Sequence, residues 1–225
     1  MASLLEQWAA VDQYIADLLT PSDSVLEDTL KVSKAAGLPP HQVSPTQGKL
    51  LALLVQIQGA QTVLEIGTLG GYSTIWLARA LPRNGRLVTL EADARNAEVA
   101  RTNITHAGLQ DIVDLRIGNA LKTLPKLASE ECAPFDLIFI DADKSSNPEY
   151  FRWSLRLSHR GTIIIADNVI RDGAVVDAAS EDPDVQGIRH FNELLAAEPR
   201  VSATVIQTVG SKGYDGFAIA RVVAD

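Results

Sequence analysis

Between residues 61 and 168, short apolar runs rich in β-branched residues alternate with helical stretches of ten to fifteen residues, and this rhythm limits the fold more than any other feature. Such alternation is the mark of repeated βαβ units and a parallel sheet. The spacing predicts strands over 62–66, 86–91, 112–117, 135–140 and 162–166. Their near-continuous apolar character predicts burial on both faces. Helical connections are predicted over 71–81, 94–106, 120–127 and 148–158, with a further helix over 185–197. Two alternating segments, 201–209 and 216–223, flank Gly210-Ser211-Lys212-Gly213. That loop is too short for a crossover, so the last two strands should form an antiparallel hairpin.

The first sixty residues read differently. Leu4, Leu5, Trp8, Val11, Ile15, Leu18 and Leu19 recur at helical steps, and Pro21 should stop the pattern. A second helix is predicted after Ser22-Asp23-Ser24, ending near Gly37. A third should begin with Ser44 as cap and Pro45 in the first turn and run to Gly59. The expectation is one domain over 1–225, with residues 1–60 a helical extension packed on it.

Bulk properties narrow the function classes. Against 20 basic residues stand 28 acidic ones, a net charge of -8 that repels polyanions unless the cations gather on one face. They do not: Arg152, Arg156 and Arg160, at four-residue spacing, read as a solvated helix stripe. With Cys132 alone, and only Glu130 and Glu131 beside it, no intrachain disulfide forms and a reduced, cytoplasmic setting is expected. No run of 18 apolar residues occurs, so no membrane span is expected. The histidines at 41, 106, 159 and 190 have no metal spacing and read as structural, and Trp8, Trp76 and Trp153 as core or interface aromatics.

The first strand and its turn read VLEIGTLGGYS. Glycines directly after a buried strand let the backbone approach a ligand, and the next helix offers free N–H groups. A dinucleotide fingerprint needs glycine where Leu69 stands. Glu65 before the turn suits the ammonium of an amino acid better than a phosphate. Glu91 lies 24 positions past Gly67, at the tip of the second strand, where a carboxylate takes both ribose hydroxyls. Further along, strands four and five end in FIDADK and IIIADN. Asp141, Asp167 and Asn168 are three hard oxygen donors that suit Mg²⁺, Mn²⁺ or Ca²⁺ and leave half an octahedron open for water or two vicinal acceptor oxygens. Lys144 is spaced to act as base or as a positive clamp on a phenolate.

These stretches, VLEIGTLGGYS, FIDADK and ADN above all, resemble the cation-dependent O-methyltransferases of the catechol and caffeoyl-CoA type, over nearly the whole chain from about Val43. The resemblance implies an α/β, Rossmann-like, seven-stranded, mostly parallel sheet with helices on both faces and a reversed C-terminal hairpin, in a homodimer. It implies S-adenosylmethionine (SAM) held by Val43, Glu65, Gly67, Thr68, Ser73, Glu91 and Ala120, with Asp143 beside it. It implies a metal, usually Mg²⁺, on Asp141, Asp167 and Asn168, with Asp141 and Lys144 at the chemistry and Lys144 assisting deprotonation. The acceptor would be a small phenol with vicinal hydroxyls. Val43 stands where plant members often have a metal-proximal threonine, and Arg171 where they tend to have an aromatic, which points away from acyl-CoA acceptors. A hydroxylated base of tRNA is the alternative acceptor, opposed by the acidic composition. A non-catalytic SAM- or nucleotide-binding module is a further reading, opposed by the intact metal and lysine positions.

Overall fold

The computed structural model describes residues 3–20, 23–130 and 132–224. Pro21 and Ser22, expected at the break between the first two helices, and Glu131 lie outside them. Helix α1 (Leu4–Leu19) opens on a reciprocal cap between Ser3 and Glu6, and α2 (Ser24–Ala35) on the Asp23 carboxylate. Helix α3 (Pro45–Gln58) starts at Ser44 with proline in its first turn and stops at Gly59, whose φ of 65° only glycine adopts freely.

The alternating region then delivers β1 (Thr62–Ile66), α4 (Tyr72–Ala80), β2 (Arg86–Glu91), α5 (Ala94–His106), β3 (Val113–Ile117), α6 (Ala120–Ser129), β4 (Phe135–Ile140), α7 (Asn147–Arg156) and β5 (Ser158–Asp167). Helix α8 (Pro183–Ala197) and the hairpin β6 (Val201–Gly210) and β7 (Gly213–Val222) complete the chain. The sheet order is β3-β2-β1-β4-β5-β7-β6, parallel except for β7, which runs antiparallel to both β5 and β6. This is the Rossmann-like arrangement with a reversed hairpin. Alternate strand residues feed two cores: Leu64, Ile66 and Ile138 pack under α6, α7 and α8, whereas Val63, Leu137 and Phe139 pack under α2, α3 and α4. In the first, Phe151 and Phe191 meet edge to face at 5.6 Å. Each such buried side chain contributes about 1.5–3 kcal/mol.

Three expectations are corrected. Strand β3 is not buried on both faces: all five residues are partly or fully exposed, because it is the sheet edge and its Asp114 and Arg116 pair with each other at 2.7 Å. Strand β5 begins at Ser158, four residues early, where a register shift against β4 lets Thr162 donate to the Phe135 carbonyl. Arg160 therefore lies on a strand and not on a helix stripe with Arg152 and Arg156.

Strand order reverses on the two sides of β1, so the carboxyl ends of β1 and β4 lie at the switch point where open α/β sheets bind ligands. The contact there is tight: the Asp141 N–H donates to the Ile66 carbonyl at 2.8 Å, and Gly67 (φ 102°) sits directly against the Asp141 carbonyl.

Candidate active site

A cavity of about 1160 Å³ opens over this switch point. Val43, Gly67, Thr68, Ser73, Glu91 and Ala120 line one part of it, and Asp141, Asp143, Lys144, Asp167 and Asn168 another. Of the residues singled out in the sequence, Glu65 alone is absent from the wall.

Glu65 lies beneath the floor, 0% exposed. Its oxygens accept from the hydroxyls of Ser73 (2.6 Å), Thr74 (2.5 Å) and Thr89 (2.7 Å), and Thr89 pairs in turn with Thr68 at 2.6 Å. It thus meets the cavity through Ser73 and Thr68, and not as a direct partner for an ammonium. Burial pushes its carboxyl up to about 7, against which the three hydroxyls pull down. A carboxyl whose folded pKa exceeds its unfolded value stabilises the fold fully at low pH and loses that contribution as pH rises toward the folded pKa. The loss here is on the order of 3 kcal/mol between pH 4.5 and 7. Thermal midpoints should fall across that window in the ligand-free protein, and Glu65→Gln should flatten the fall; an unchanged slope would contradict the assignment.

Glu91 is aimed differently. One oxygen accepts the Leu69 N–H at 2.8 Å and the Thr68 N–H at 3.3 Å, and the other accepts the Asp93 N–H at 2.9 Å. The cap of α5 is Asp93 itself, so Glu91 is left to shape the turn and face the cavity. Leu69 takes φ 50° in that turn, uncommon for a non-glycine residue. Asn119, ahead of α6, makes no side-chain cap bond and lines the cavity beside Ala120.

On the other side, the Lys144 ammonium lies 2.9 Å from Asp141 Oδ1, with the lysine 6% exposed. Helix α8 fixes this segment: a Cβ on Gly187 would fall 2.5 Å from the Lys144 carbonyl oxygen. Asp143 accepts from the Tyr150 hydroxyl at 2.5 Å. Burial would raise the Asp143 carboxyl, but the hydroxyls of Ser146, Tyr150 and Ser145 hold it below its ordinary value. Asp167 is anchored at both oxygens, by the Asn168 N–H at 2.9 Å and by the Gln47 amide at 2.7 Å. Burial, then the charge of Asp141, push its carboxyl up to about 7. Asn168 takes φ 57°, and the turn after it is tied down by Asp215, whose Oδ1 accepts from the N–H groups of Ile170 and Arg171.

The donor set suits a hard divalent cation. The charge of Asp141 raises the cost of ionising Asp167 while Lys144 supplies only one positive charge, and Asn168 adds a neutral oxygen on the same wall. Among the described residues no three His, Cys, Asp or Glu side chains gather in a metal-binding group, so a cation held here would have to take an oxygen of another kind beside the two carboxylates, as the Asn168 amide could supply. The sequence reading did not single out Gln47, Tyr150 or Asp215. Gln47 carried only a helix-start signal, and Tyr150, on the helix after FIDADK, carried none. No described helix is long and apolar enough to cross a membrane.

The family model described as "O-methyltransferase" matches residues 17–222. The chain is 55% identical to a catechol O-methyltransferase of Niastella koreensis over 213 residues, 95% of this chain and 96% of that one. It is 50% identical to a catechol O-methyltransferase of Mycobacterium tuberculosis, covering 94% of each. An O-methyltransferase from Bacillus cereus, solved in complex with SAH, superposes with a TM-score of 0.96 at 63% identity, covering 97% of this chain and all of that one. TomG of Streptomyces achromogenes, an O-methyltransferase involved in tomaymycin synthesis and solved with SAM, gives 0.96 at 47% identity over 99% of this chain and all of its own. With the glycine turn, Glu91 and the strand-end carboxylates on one cavity, the chain belongs to the O-methyltransferase family. It is a SAM-dependent O-methyltransferase.

Proposed function

We propose that the enzyme uses a divalent metal, Mg²⁺ or a close substitute, to methylate one of two vicinal hydroxyls on a small catechol-like acceptor. The observation that carries this is the meeting of Asp141, Lys144, Asp167 and Asn168 on the wall of the same cavity as the glycine turn. Two relatives of 50% identity or more that carry the name catechol O-methyltransferase support the acceptor class. Val43, Gly67, Thr68, Ser73, Glu91 and Ala120 would hold SAM, with Glu65 bracing Ser73 from below and Tyr150 holding Asp143 beside it. Asp141, Asp167 and Asn168 would hold the metal, which when bound lowers the pKa of a chelated hydroxyl. Lys144, kept in place by Asp141 and by the close approach of α8, assists removal of the phenolic proton. The methyl passes from sulfonium to phenolate oxygen with no covalent enzyme intermediate, so the protein's contribution is positioning and charge stabilisation.

Methyl transfer from SAM to a panel of catechols should require Mg²⁺ or Mn²⁺ and stop in EDTA. Full turnover in EDTA would remove the metal from the reading, and no turnover of any catechol with metal present would remove the acceptor class. Lys34, Lys144, Arg171 and Lys212 share the cavity wall with Glu91, Asp141, Asp143, Asp167, Asp184 and Asp215, so no cationic track is formed there, and with the net charge of -8 this speaks against a nucleic-acid acceptor. The single cysteine fits a reduced cytoplasmic setting. A homodimer accords with α1, which buries none of its residues and exposes Leu4, Leu5, Val11, Tyr14, Leu18 and Leu19. Sedimentation at the mass of one chain would refute it.

A further inference from the structure

We infer that Gln47 is a positioning residue for the metal side of the site: its amide, delivered by α3, locks the Asp167 carboxylate in its ligating orientation and so governs how tightly a divalent cation is held. The inference deepens the metal-assisted reading above and rests on it.

Gln47 stands at the third position of α3, where the Ser44 hydroxyl accepts its backbone N–H at 3.2 Å. A glutamine there ordinarily reaches back to the cap residue's N–H and completes a reciprocal box. Glu6 does so in α1, returning to the Ser3 N–H at 2.7 Å. Gln47 instead turns across the cavity to donate to Asp167 Oδ2 at 2.7 Å, a partner 120 positions away. The helix that carries it cannot easily be set back or rotated. At the next residue, Gly48, a Cβ would lie 2.4 Å from two atoms of the Trp76 indole, so α3 rests flush on α4.

The consequence falls on Asp167. Its Oδ1 is held by the Asn168 N–H of its own strand end, whereas Oδ2 is held by Gln47. Without the amide, the carboxylate is free to turn about its last bond, and Oδ2 no longer has a fixed direction. The donor's neutrality fits the same purpose. A lysine there would donate but compete with the cation, and a glutamate would repel Asp167. Outer partners of this kind orient ligands, and losing one typically costs metal affinity without removing the site.

Mn²⁺ binding to the enzyme without SAM or acceptor, read by electron paramagnetic resonance of the free ion, tests this. Gln47→Leu should weaken Mn²⁺ by about 10- to 100-fold while leaving SAH binding by calorimetry within about twofold. Saturating Mn²⁺ should restore kcat, so the defect lies in the metal constant. Gln47→Met, with an unbranched side chain of similar length, repeats the test should the leucine variant fold poorly. Unchanged Mn²⁺ affinity in a folded variant overturns the inference alone, and equal loss of SAH and Mn²⁺ overturns it in favour of a structural role for the helix. Failure of the unmodified enzyme to bind Mn²⁺ overturns the metal reading together with it.

Discussion

On the proposed metal-assisted reading, Asp167→Ala should lower methylation of a catechol by about three orders of magnitude, because Lewis-acid assistance is worth several kcal/mol and each 1.4 kcal/mol is tenfold in rate. Asp167 is central to the donor set in a way that Asp141 is not. Asp141 still has the Lys144 ammonium 2.9 Å away when no cation is bound, and that pair helps to keep the lysine in place. Asp167 accepts hydrogen bonds from neutral donors, the Asn168 N–H and the Gln47 amide, feels Lys144 by charge alone, and lies 6% exposed. Its carboxyl, pushed up to about 7 by burial and by Asp141, is poorly compensated without a cation. Turnover and stability should therefore part. Turnover collapses, yet the metal-free variant should melt no lower than the parent, since the alanine removes a group whose ionised form burial disfavours. SAM affinity should be nearly unchanged, because the glycine turn and Glu91 are untouched. Turnover within tenfold of the parent would exclude Asp167 as a ligand, and a sharply lower melting point would show that its role is structural.

Why some of this was legible in the chain and some not follows from what sequence order encodes. The βαβ rhythm and the turn glycines act through neighbours a few residues apart, so the strands at 62–66, 86–91 and 135–140 could be read to the residue and the hairpin to within three. Position across the sheet is not written that way. Strand β3, VDLRI, alternates apolar residues with Asp114 and Arg116, a pattern that marks one polar face, but only the strand order makes it an edge. Depth is also hidden. Glu65 is the last residue but one of β1 and Glu91 the last of β2, yet Glu65 points into a nest of hydroxyls from Ser73, Thr74 and Thr89 while Glu91 faces the cavity. Those hydroxyls come from α4 and β2, and no local pattern announces their convergence. Gln47 is the sharpest case: locally it is a helix-start residue, and only the stacking of Gly48 on Trp76 brings it to Asp167.

The same convergence makes Gly67 the position where one added methyl group should do most harm. A Cβ there would fall 2.0 Å from the Asp141 carbonyl oxygen and 2.7 Å from its carbon, both backbone atoms at the end of β4 that no side-chain rotation can clear. Its φ of 102° adds strain for any L residue. Overpacking and backbone strain together should cost Gly67→Ala about 2–5 kcal/mol in stability. Relief requires β1 and β4 to part at their carboxyl ends, where the glycine turn and the Asp141–Lys144 pair both sit, so binding and chemistry should fail together. SAH affinity should drop on the order of 100-fold, the equivalent of about 2.8 kcal/mol. Gly108→Ala is the control. Gly108 also has a positive φ, 71°, but a Cβ on it would have nothing within 4 Å, so it carries the strain without the collision. Its cost should stay near 1 kcal/mol with SAH binding intact. Denaturant melts and calorimetry on the two variants separate the terms: equal losses would mean backbone strain alone, and only a much larger loss at Gly67 fits a turn pressed against the strand end that bears Asp141.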